Sequence, residues 1–277
     1  MTTKLALILG GSTGLKSFYK LYKLKSVNIK YLMCSDKKYR QILKTLCKKE
    51  GIKYFDNIDY ILRKNFKCDF LLSIHSKIIL SKNHLQKLSY NCINFHPAIL
   101  PYYPGLNAVS GMIFNQEKFI GVTTHRMSEK IDAGNIIFIM KKRISPSDNL
   151  ITCSKIISSL TLISLLKLIK GIKNNKIIEI KNQTYKKKKF PKKIPNKGKL
   201  DFNWNIENFR RHFNPGFSGP FKSEWGKVFF YYKKKRKVIQ NYTYVKKKRL
   251  KNFRIKKIKK DKFIIKLRNN FIEVDTE

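Results

Sequence analysis

Short apolar runs alternate with amphipathic segments along the first half of the chain. The run L-A-L-I-L (5–9) ends at G-G-S-T-G, and L-K-S-F-Y-K-L-Y-K-L (15–24) then places apolar residues at helical spacing. V-N-I-K-Y-L-M-C (27–34) is typical of a second strand, and K-Y-R-Q-I-L-K-T-L-C (38–47) of a second helix. A repeated strand, turn and helix predicts a mostly parallel sheet with helices on both faces.

The same pattern continues toward the middle of the chain. Four more strands and a helix are predicted, in the order D-F-L-L-S-I (69–74), helix S-K-N-H-L-Q-K-L (81–88), Y-N-C-I-N-F (90–95), I-G-V-T-T-H-R-M (120–127) and N-I-I-F-I-M-K-K (135–142). We therefore expect an α/β fold with a Rossmann-like, mostly parallel sheet. Ligands of such sheets bind beyond the carboxyl ends of the strands, so the residues that follow these runs are candidates for a site.

The longest apolar stretch is I-I-S-S-L-T-L-I-S-L-L, at 156–166. It lies in an amphipathic helix predicted over about 148–173, with Asp148 as the N-cap and Gly171 near the end. The stretch is bracketed by lysines and is too short to cross a bilayer, so we expect no membrane span. The first residues have only five apolar positions in a row and no small-residue cleavage site, so we expect no signal peptide.

The composition changes toward the end of the chain. Residues 185–199 are strongly charged and contain two prolines and a glycine, which is typical of a linker. Aromatic and basic residues then alternate in K-V-F-F-Y-Y-K-K-K-R-K-V-I and D-K-F-I-I-K-L-R-N-N-F-I-E-V, as in strands joined by short turns. The predicted organisation is an α/β domain over 1–183, a basic linker over 184–199 and a small, barrel-like β-rich module over 200–277.

The formal net charge of +44 comes mostly from lysine, which far outnumbers arginine. Two interpretations stay open: a codon bias toward Lys, Ile and Asn, or binding of a polyanion. Phosphate and base recognition favour the planar fork of arginine, so the lysine excess weakens the second interpretation. Because the density of positive charge is higher beyond residue 185, a polyanion site is expected there.

The cysteines are odd in number, scattered and without C-x-x-C spacing: Cys34, Cys47, Cys68, Cys92 and Cys153. This pattern argues against a disulfide framework and against a zinc site. We expect no metal and a cytoplasmic location.

A string of unusual composition, N-F-H-P-A-I-L-P-Y-Y-P-G-L-N (94–107), directly follows a predicted strand. Asn94 and His96 lie two positions apart, so both side chains are expected on the same face. Pro97 biases the chain out of the sheet, and the later prolines and glycine favour a turn. A His at a strand end is often a hydrogen-bonded structural residue, and a proline-rich turn is often only a turn, so spacing alone leaves this interpretation open.

A carboxylate is available at Asp132, in K-I-D-A-G-N, a predicted turn between two strands. An amide, an imidazole and a carboxylate suit the addition of a nucleophile to a carbonyl. The amide can donate to the developing oxyanion, the imidazole can move a proton, and the carboxylate can orient the imidazole. The string places no Cys or Ser as a nucleophile, which favours direct attack by a substrate amine.

The string resembles the signature of the folate-dependent formyltransferases, a family that includes glycinamide ribonucleotide, methionyl-tRNA and amino-sugar formyltransferases. In that family an N-x-H-P-x-x-L-P loop is followed by a D-x-G turn, 36 residues after the His. This chain has Asn94, His96 and then Asp132 with Gly134, at the same separation. The block G-V-T-T-H-R-M-S-E-K-I-D-A-G-N is similar to the family's second motif, and S-I-H-S-K-I-I-L-S (73–81) stands where its folate-lining segment stands.

The resemblance implies the formyltransferase fold and a role for each matched residue. Asn94 would stabilise the oxyanion formed when an amine attacks the formyl group of the co-substrate 10-formyltetrahydrofolate. His96 would shuttle the proton, and Asp132 would hold His96 and an ordered water. Backbone groups of two segments would surround the pterin: Lys77, Ile78, Ile79, Leu80, Met127, Ser128, Glu129, Lys130 and Ile131.

The acceptor amine stays open at this point. G-G-S-T-G is similar to the phosphate-holding loop of the purine-pathway members, with Gly10, Gly11, Ser12 and Thr13 as candidate substrate-binding residues. The same glycines also suit a simple tight turn. D-F-N-W-N and the later F-N-P-G-F-S-G-P-F resemble the junction before the C-terminal module of the tRNA and amino-sugar enzymes.

The chain lacks the G-T-P-x-F-A and S-L-L-P-R-W-R-G blocks of the tRNA enzymes. We therefore favour a small amine on a nucleotide-linked sugar over methionyl-tRNA, and methionyl-tRNA over glycinamide ribonucleotide. A different class of function is a nucleic-acid-binding protein on the same scaffold, whose lysines and aromatics grip phosphates and bases. The sequence leaves the oligomeric state open.

Overall fold

A computed structural model describes residues 2–183, 190–219, 224–245 and 253–277. The chain divides into two compact units. The first comprises Met1–Ala108, Phe119–Lys142 and Lys155–Lys188, and the second comprises Val109–Lys118, Arg143–Ser154 and Lys189–Glu277. The division into 1–183, 184–199 and 200–277 stays a prediction, and residues 184–189 of the expected linker lie outside the described residues.

A seven-stranded sheet dominates the first unit. Its strands are β1 Thr3–Leu9, β2 Val27–Cys34, β3 Lys53–Tyr54, β4 Phe70–Ile74, β5 Cys92–His96, β6 Phe119–Arg126 and β7 Ile136–Arg143. They lie in the order β3-β2-β1-β4-β5-β6-β7. The pairs from β3 to β5 are parallel, and β6 runs antiparallel to β5. The predicted α/β, mostly parallel sheet is confirmed, and the carboxyl ends of β1, β4 and β5 share one edge.

Five helices precede the C-terminal part: α1 Gly11–Tyr22, α2 Lys37–Lys49, α3 Lys82–Lys87, α4 Ala108–Phe114 and α5 Leu150–Lys173. Two details differ from the sequence prediction. The predicted glycine-rich turn is the first turn of α1, which begins at Gly11 rather than near residue 15. The N-cap of α5 is Asn149 instead of Asp148, because the Asn149 Oδ1 accepts from the backbone N–H groups of Ile151 and Thr152, at 3.0 and 3.2 Å.

Helix α5 is long and apolar enough by length and composition to cross a membrane, a test that the core helix of a soluble protein also meets. The fully buried positions among its residues include polar ones, Thr161 and Ser164, as well as Leu165. Thr161 donates to the Ile157 carbonyl within the helix at 2.8 Å. The predicted helix is confirmed, and Gly171 lies in its last turn.

The second unit contains a five-stranded antiparallel sheet. Its strands are β8 Phe229–Tyr232, β9 Lys235–Val245, β10 Ile255–Lys259, β11 Lys262–Lys266 and β12 Phe271–Thr276, in the order β10-β11-β12-β9-β8. The predicted β-rich character is confirmed. A helix that the sequence analysis did not predict, α6 Ile206–Phe213, packs Phe209 and Phe213 into the core of this unit, where Trp225 is also buried.

Candidate active site

Two neighbouring strands place the polar side chains of the site. Asn94 and His96 lie at the carboxyl end of β5, where Asn94 pairs with His125 across the antiparallel ladder and His96 pairs with Thr123. His96 and His125 are buried, 4% and 1% exposed. Because residues two apart in a strand share a face, one edge of the sheet presents both Asn94 and His96, as predicted.

Asp132 reaches the same place from the turn between β6 and β7. Its backbone has a φ of 51°, a left-handed conformation that Asp tolerates better than most residues. Asn182 donates from Nδ2 to the Asp132 carbonyl at 2.9 Å, and the Gly105 N–H donates to the Asp132 Oδ2 at 2.7 Å. These bonds hold the turn and the carboxylate in one orientation.

The three side chains predicted to act together do converge. The Asp132 Oδ2 lies 3.3 Å from the His96 Nδ1, and the Asp132 Oδ1 lies 3.4 Å from the Asn94 Nδ2. An amide, an imidazole and a carboxylate from separate parts of the chain therefore surround a single point at the carboxyl edge of the sheet. Their catalytic roles stay a prediction.

His125 belongs to the same cluster, and the sequence analysis did not single it out. Its Nε2 lies 3.2 Å from the Asn94 Nδ2 and 3.5 Å from the Asp132 Oδ1. The available signal was weak: His125 stands in the block that carries Asp132, on a strand buried at every position from Ile120 to His125. Without alternation of polar and apolar residues, the face that His125 occupies could not be assigned.

The surroundings of His96 set its tautomer. The His96 Nε2 lies 2.8 Å from the Tyr103 carbonyl, which can only accept, so Nε2 carries a proton. Burial lowers the pKa of His96, and the nearby Asp132 carboxylate and Tyr103 carbonyl oppose this effect only in part. The neutral ring therefore leaves Nδ1 without a proton, facing the Asp132 carboxylate, where it can act as a base.

Asp132 is held in its charged form. Burial alone would raise its pKa, but the neighbouring rings of His125 and His96 and the Gly105 N–H outweigh burial and bring the pKa of Asp132 below the ordinary aspartate value. An ionised carboxylate beside a neutral imidazole can stabilise the imidazolium that forms when His96 takes a proton.

A further buried histidine lies at the end of β4. The His75 Nε2 is 2.9 Å from the Thr161 Oγ1, whose own proton goes to the Ile157 carbonyl, so the His75 Nε2 donates. Burial, reinforced by the nearby His96, lowers the pKa of His75 to about 4. The His75 carbonyl also packs against Gly10, where a Cβ would lie 2.1 Å away.

This lowered pKa predicts a pH-dependent stability. The unfolded chain takes up a proton on His75 near pH 6.5 but the folded chain only near pH 4, so stability is lost as pH falls through this window. Between pH 7 and pH 5 we expect wild type to lose about 2 kcal/mol more of its unfolding free energy than His75→Gln, which keeps a donor for Thr161. Urea denaturation at both pH values measures this difference, and equal losses would contradict it.

The two segments predicted to line the folate lie next to each other. Ile78, Leu80 and Met127 pack against one core cluster, and Lys82 pairs with Glu129 at 3.9 Å. The predicted residues differ in exposure: Leu80 is buried, Ile78, Met127 and Ser128 are half-buried, and Lys77, Ile79, Glu129, Lys130 and Ile131 are exposed. Exposed isoleucines in both segments, 63% at Ile79 and 54% at Ile131, offer apolar surface to a planar ring.

The predicted substrate residues Gly10, Gly11, Ser12 and Thr13 lie at the start of α1. The Gly10 N–H donates to the Ile74 carbonyl at 2.9 Å, which ties this segment to the end of β4. Gly11 has a φ of 59°, and Thr13 is buried. The segment therefore shares the carboxyl edge of the sheet with His75. Within the described residues, no group of three or more His, Cys, Asp or Glu side chains is arranged to hold a metal ion.

The chain is similar to several curated proteins over part of its length. The chain is 31% identical over 181 residues to the bifunctional polymyxin resistance protein ArnA of Wigglesworthia glossinidia brevipalpis, a match that covers 64% of this chain and 27% of that protein. It is 32% identical over 156 residues to a methionyl-tRNA formyltransferase of Buchnera aphidicola, covering 54% and 49%. The chain thus spans only about a quarter to a half of these curated relatives.

A solved structure shares the fold over the whole chain. The N-formyltransferase of Helicobacter canadensis, in complex with folinic acid and dTDP-3-aminofucose, superimposes with a TM-score of 0.75 at 16% identity, and the match covers 100% of both chains. The family model described as formyl transferase matches residues 7–166, more than half of this chain. The chain therefore belongs to the formyl transferase family.

Proposed function

We propose that this chain transfers the formyl group of 10-formyltetrahydrofolate to a primary amine. The observation that carries the proposal is the convergence of Asn94, His96 and Asp132. The Asp132 carboxylate lies 3.3 Å from the His96 Nδ1 and 3.4 Å from the Asn94 Nδ2. The donor set fits this co-substrate, because an amide donor, a neutral imidazole and an ionised carboxylate match what transfer of an acyl group to an amine requires. The family membership supports the same reaction.

The co-substrate supplies a formyl carbon: a C–N bond forms to the acceptor amine, the bond to N10 of the folate breaks, and one amine proton ends on N10. The Asn94 amide is placed to donate to the formyl oxygen as it gains negative charge. The His96 Nε2 already carries a proton, which it donates to the Tyr103 carbonyl, so only Nδ1 is able to take the amine proton. Asp132 stabilises the resulting imidazolium across 3.3 Å, and His96 then returns the proton to the leaving nitrogen.

Backbone groups of 77–80 and 127–131 hold the pterin in this proposal. The adjacency of the two segments and the exposed Ile79 and Ile131 support it. Asp132 follows the second segment directly, so binding there would bring the one-carbon donor beside the carboxylate.

For the acceptor we propose the amino group of a nucleotide-linked sugar. A solved structure that matches the whole chain, the N-formyltransferase of Helicobacter canadensis, contains a dTDP-linked amino sugar. The Gly10–Thr13 segment supports the same acceptor, because N–H groups at the start of α1 favour a phosphate. Methionyl-tRNA is the second candidate, on the strength of the curated relatives and of the basic strands β9 and β10.

An acceptor competition assay tests this proposal. The protein is incubated with 10-formyltetrahydrofolate and a dTDP-linked amino sugar, methionyl-tRNA or glycinamide ribonucleotide, and mass spectrometry follows the N-formyl products. We expect a kcat/KM at least about 100-fold higher for the sugar than for the others. A higher value for methionyl-tRNA, with a KM that rises steeply with salt, would replace the sugar by tRNA as acceptor.

A further inference from the structure

His125 has one tautomer available in this fold. Its Nδ1 lies 2.7 Å from the carbonyl oxygen of Arg126, which can only accept a hydrogen bond. The Nδ1 atom therefore donates to this carbonyl, and Nε2 is the ring atom left to accept a hydrogen bond. Nε2 is the ring atom that faces the site, 3.2 Å from the Asn94 Nδ2.

This tautomer determines how the Asn94 carboxamide is oriented. Two acceptors, the His125 Nε2 and the Asp132 Oδ1, face the Asn94 amide at 3.2 and 3.4 Å. Only the NH₂ end of a carboxamide can donate, so this end must point toward both atoms and the carbonyl end must point away. Were the amide turned by 180°, its carbonyl oxygen would face a lone pair and a carboxylate.

We propose that His125 is a positioning residue that orients the Asn94 amide for the reaction, an inference that rests on the proposed formyl transfer. One N–H of Asn94 is held by the His125 Nε2 at 3.2 Å, and the other makes the longer contact of 3.4 Å to Asp132. The second N–H is therefore the one that can be redirected to the formyl oxygen. His125 itself is 1% exposed and acts through Asn94 rather than on the substrate.

Three substitutions separate this role from simple packing. In His125→Gln, the side-chain amide oxygen replaces Nε2 as an acceptor for Asn94. His125→Asn is shorter and keeps a donor near Arg126 but no acceptor near Asn94, and His125→Leu removes both. We expect the Gln variant to keep kcat within about tenfold of wild type, and the Asn and Leu variants to lose about 100-fold with little change in the KM for the folate.

A double-mutant cycle of His125 and Asn94 distinguishes an orienting role from a role in packing alone. If His125 acts by orienting Asn94, adding His125→Asn to the Asn94→Ala variant should lower its kcat less than about threefold. The matched control is Thr124→Val on the same strand, whose buried Oγ1 has no hydrogen-bond partner among the described residues. Losing this hydroxyl should leave kcat unchanged, and the variant should be at least as resistant to urea as wild type.

The protonation of the two His125 ring nitrogens can also be measured directly in wild type. Long-range ¹H–¹⁵N spectra at neutral pH should show a protonated Nδ1 and a bare Nε2 for His125. A proton on Nε2, additive losses in the double variant, or a Gln variant as impaired as the Leu variant would each overturn the proposal. If wild type transfers no formyl group, the proposed function fails, whereas transfer that is indifferent to His125 leaves that function standing and removes only this inference.

Discussion

We expect Asp132→Asn to lower kcat for formyl transfer by about 10²–10⁴-fold, and His96→Ala to do the same. Asp132→Asn removes the charge that would stabilise protonated His96 across 3.3 Å. Asn also tolerates the φ of 51° at this position and can keep the bond from Gly105 through its side-chain oxygen, so the turn should persist. The loss should therefore lie in catalysis and not in folding.

Steady-state kinetics measure this prediction, and circular dichroism with urea denaturation checks the fold. The matched control is Asp59→Asn, which removes the carboxylate of another His–Asp pair: the Asp59 Oδ1 lies 3.1 Å from the His84 Nε2, outside the site. This control should keep the wild-type kcat. Full activity in Asp132→Asn or in His96→Ala would end the assignment of these two roles.

Gly134→Ala is expected to have the second largest effect, on both stability and activity. A Cβ at this position would lie 2.0 Å from the Arg126 carbonyl oxygen, far inside any contact that carbon and oxygen adopt. The backbone must shift, which we expect to cost about 3 kcal/mol of unfolding free energy. The same Arg126 oxygen accepts from His125, so the shift should also misplace the cluster and lower kcat at least tenfold.

Gly171→Ala provides the comparison for this change. It makes the same substitution in α5, where the nearest atom to the new Cβ is the Lys176 carbonyl oxygen at 3.3 Å, and helix propensity favours Ala. Its unfolding free energy should stay within about 1 kcal/mol of wild type. Equal behaviour of the two variants in urea denaturation and in kcat would show that Gly134 has no special role in the turn.

The sequence predicted the part of the site that depends on local periodicity. Residues two apart in a strand share a face, so the spacing of Asn94 and His96 was enough to place their side chains together. The fold class followed in the same way from repeated strands and helices. The approach of Asp132 came from the resemblance to a known family, because no local rule relates residues 36 positions apart.

The parts that were missed depend on tertiary pairing. His125 joins the site only through its antiparallel register with Asn94, and residues 97–118, including α4, separate the two strands. The start of α1 was predicted too late because glycines usually weaken a helix. Gly10, directly before the helix, is required for a different reason, since a Cβ there would clash with the His75 carbonyl. The hairpin between β8 and β9 places Lys233 and Lys234 at positive φ, where Asn and Gly are the usual signal.

The most direct test of the central claim is a single-turnover assay with 10-formyltetrahydrofolate and a dTDP-linked amino sugar. Wild type is compared with a folded triple variant that carries Asn94→Ala, His96→Ala and Asp132→Asn. If these three side chains carry the chemistry, wild type releases tetrahydrofolate and N-formyl sugar in equal amounts, and the triple variant releases neither above the uncatalysed rate. Equal rates for the two proteins would contradict the claim.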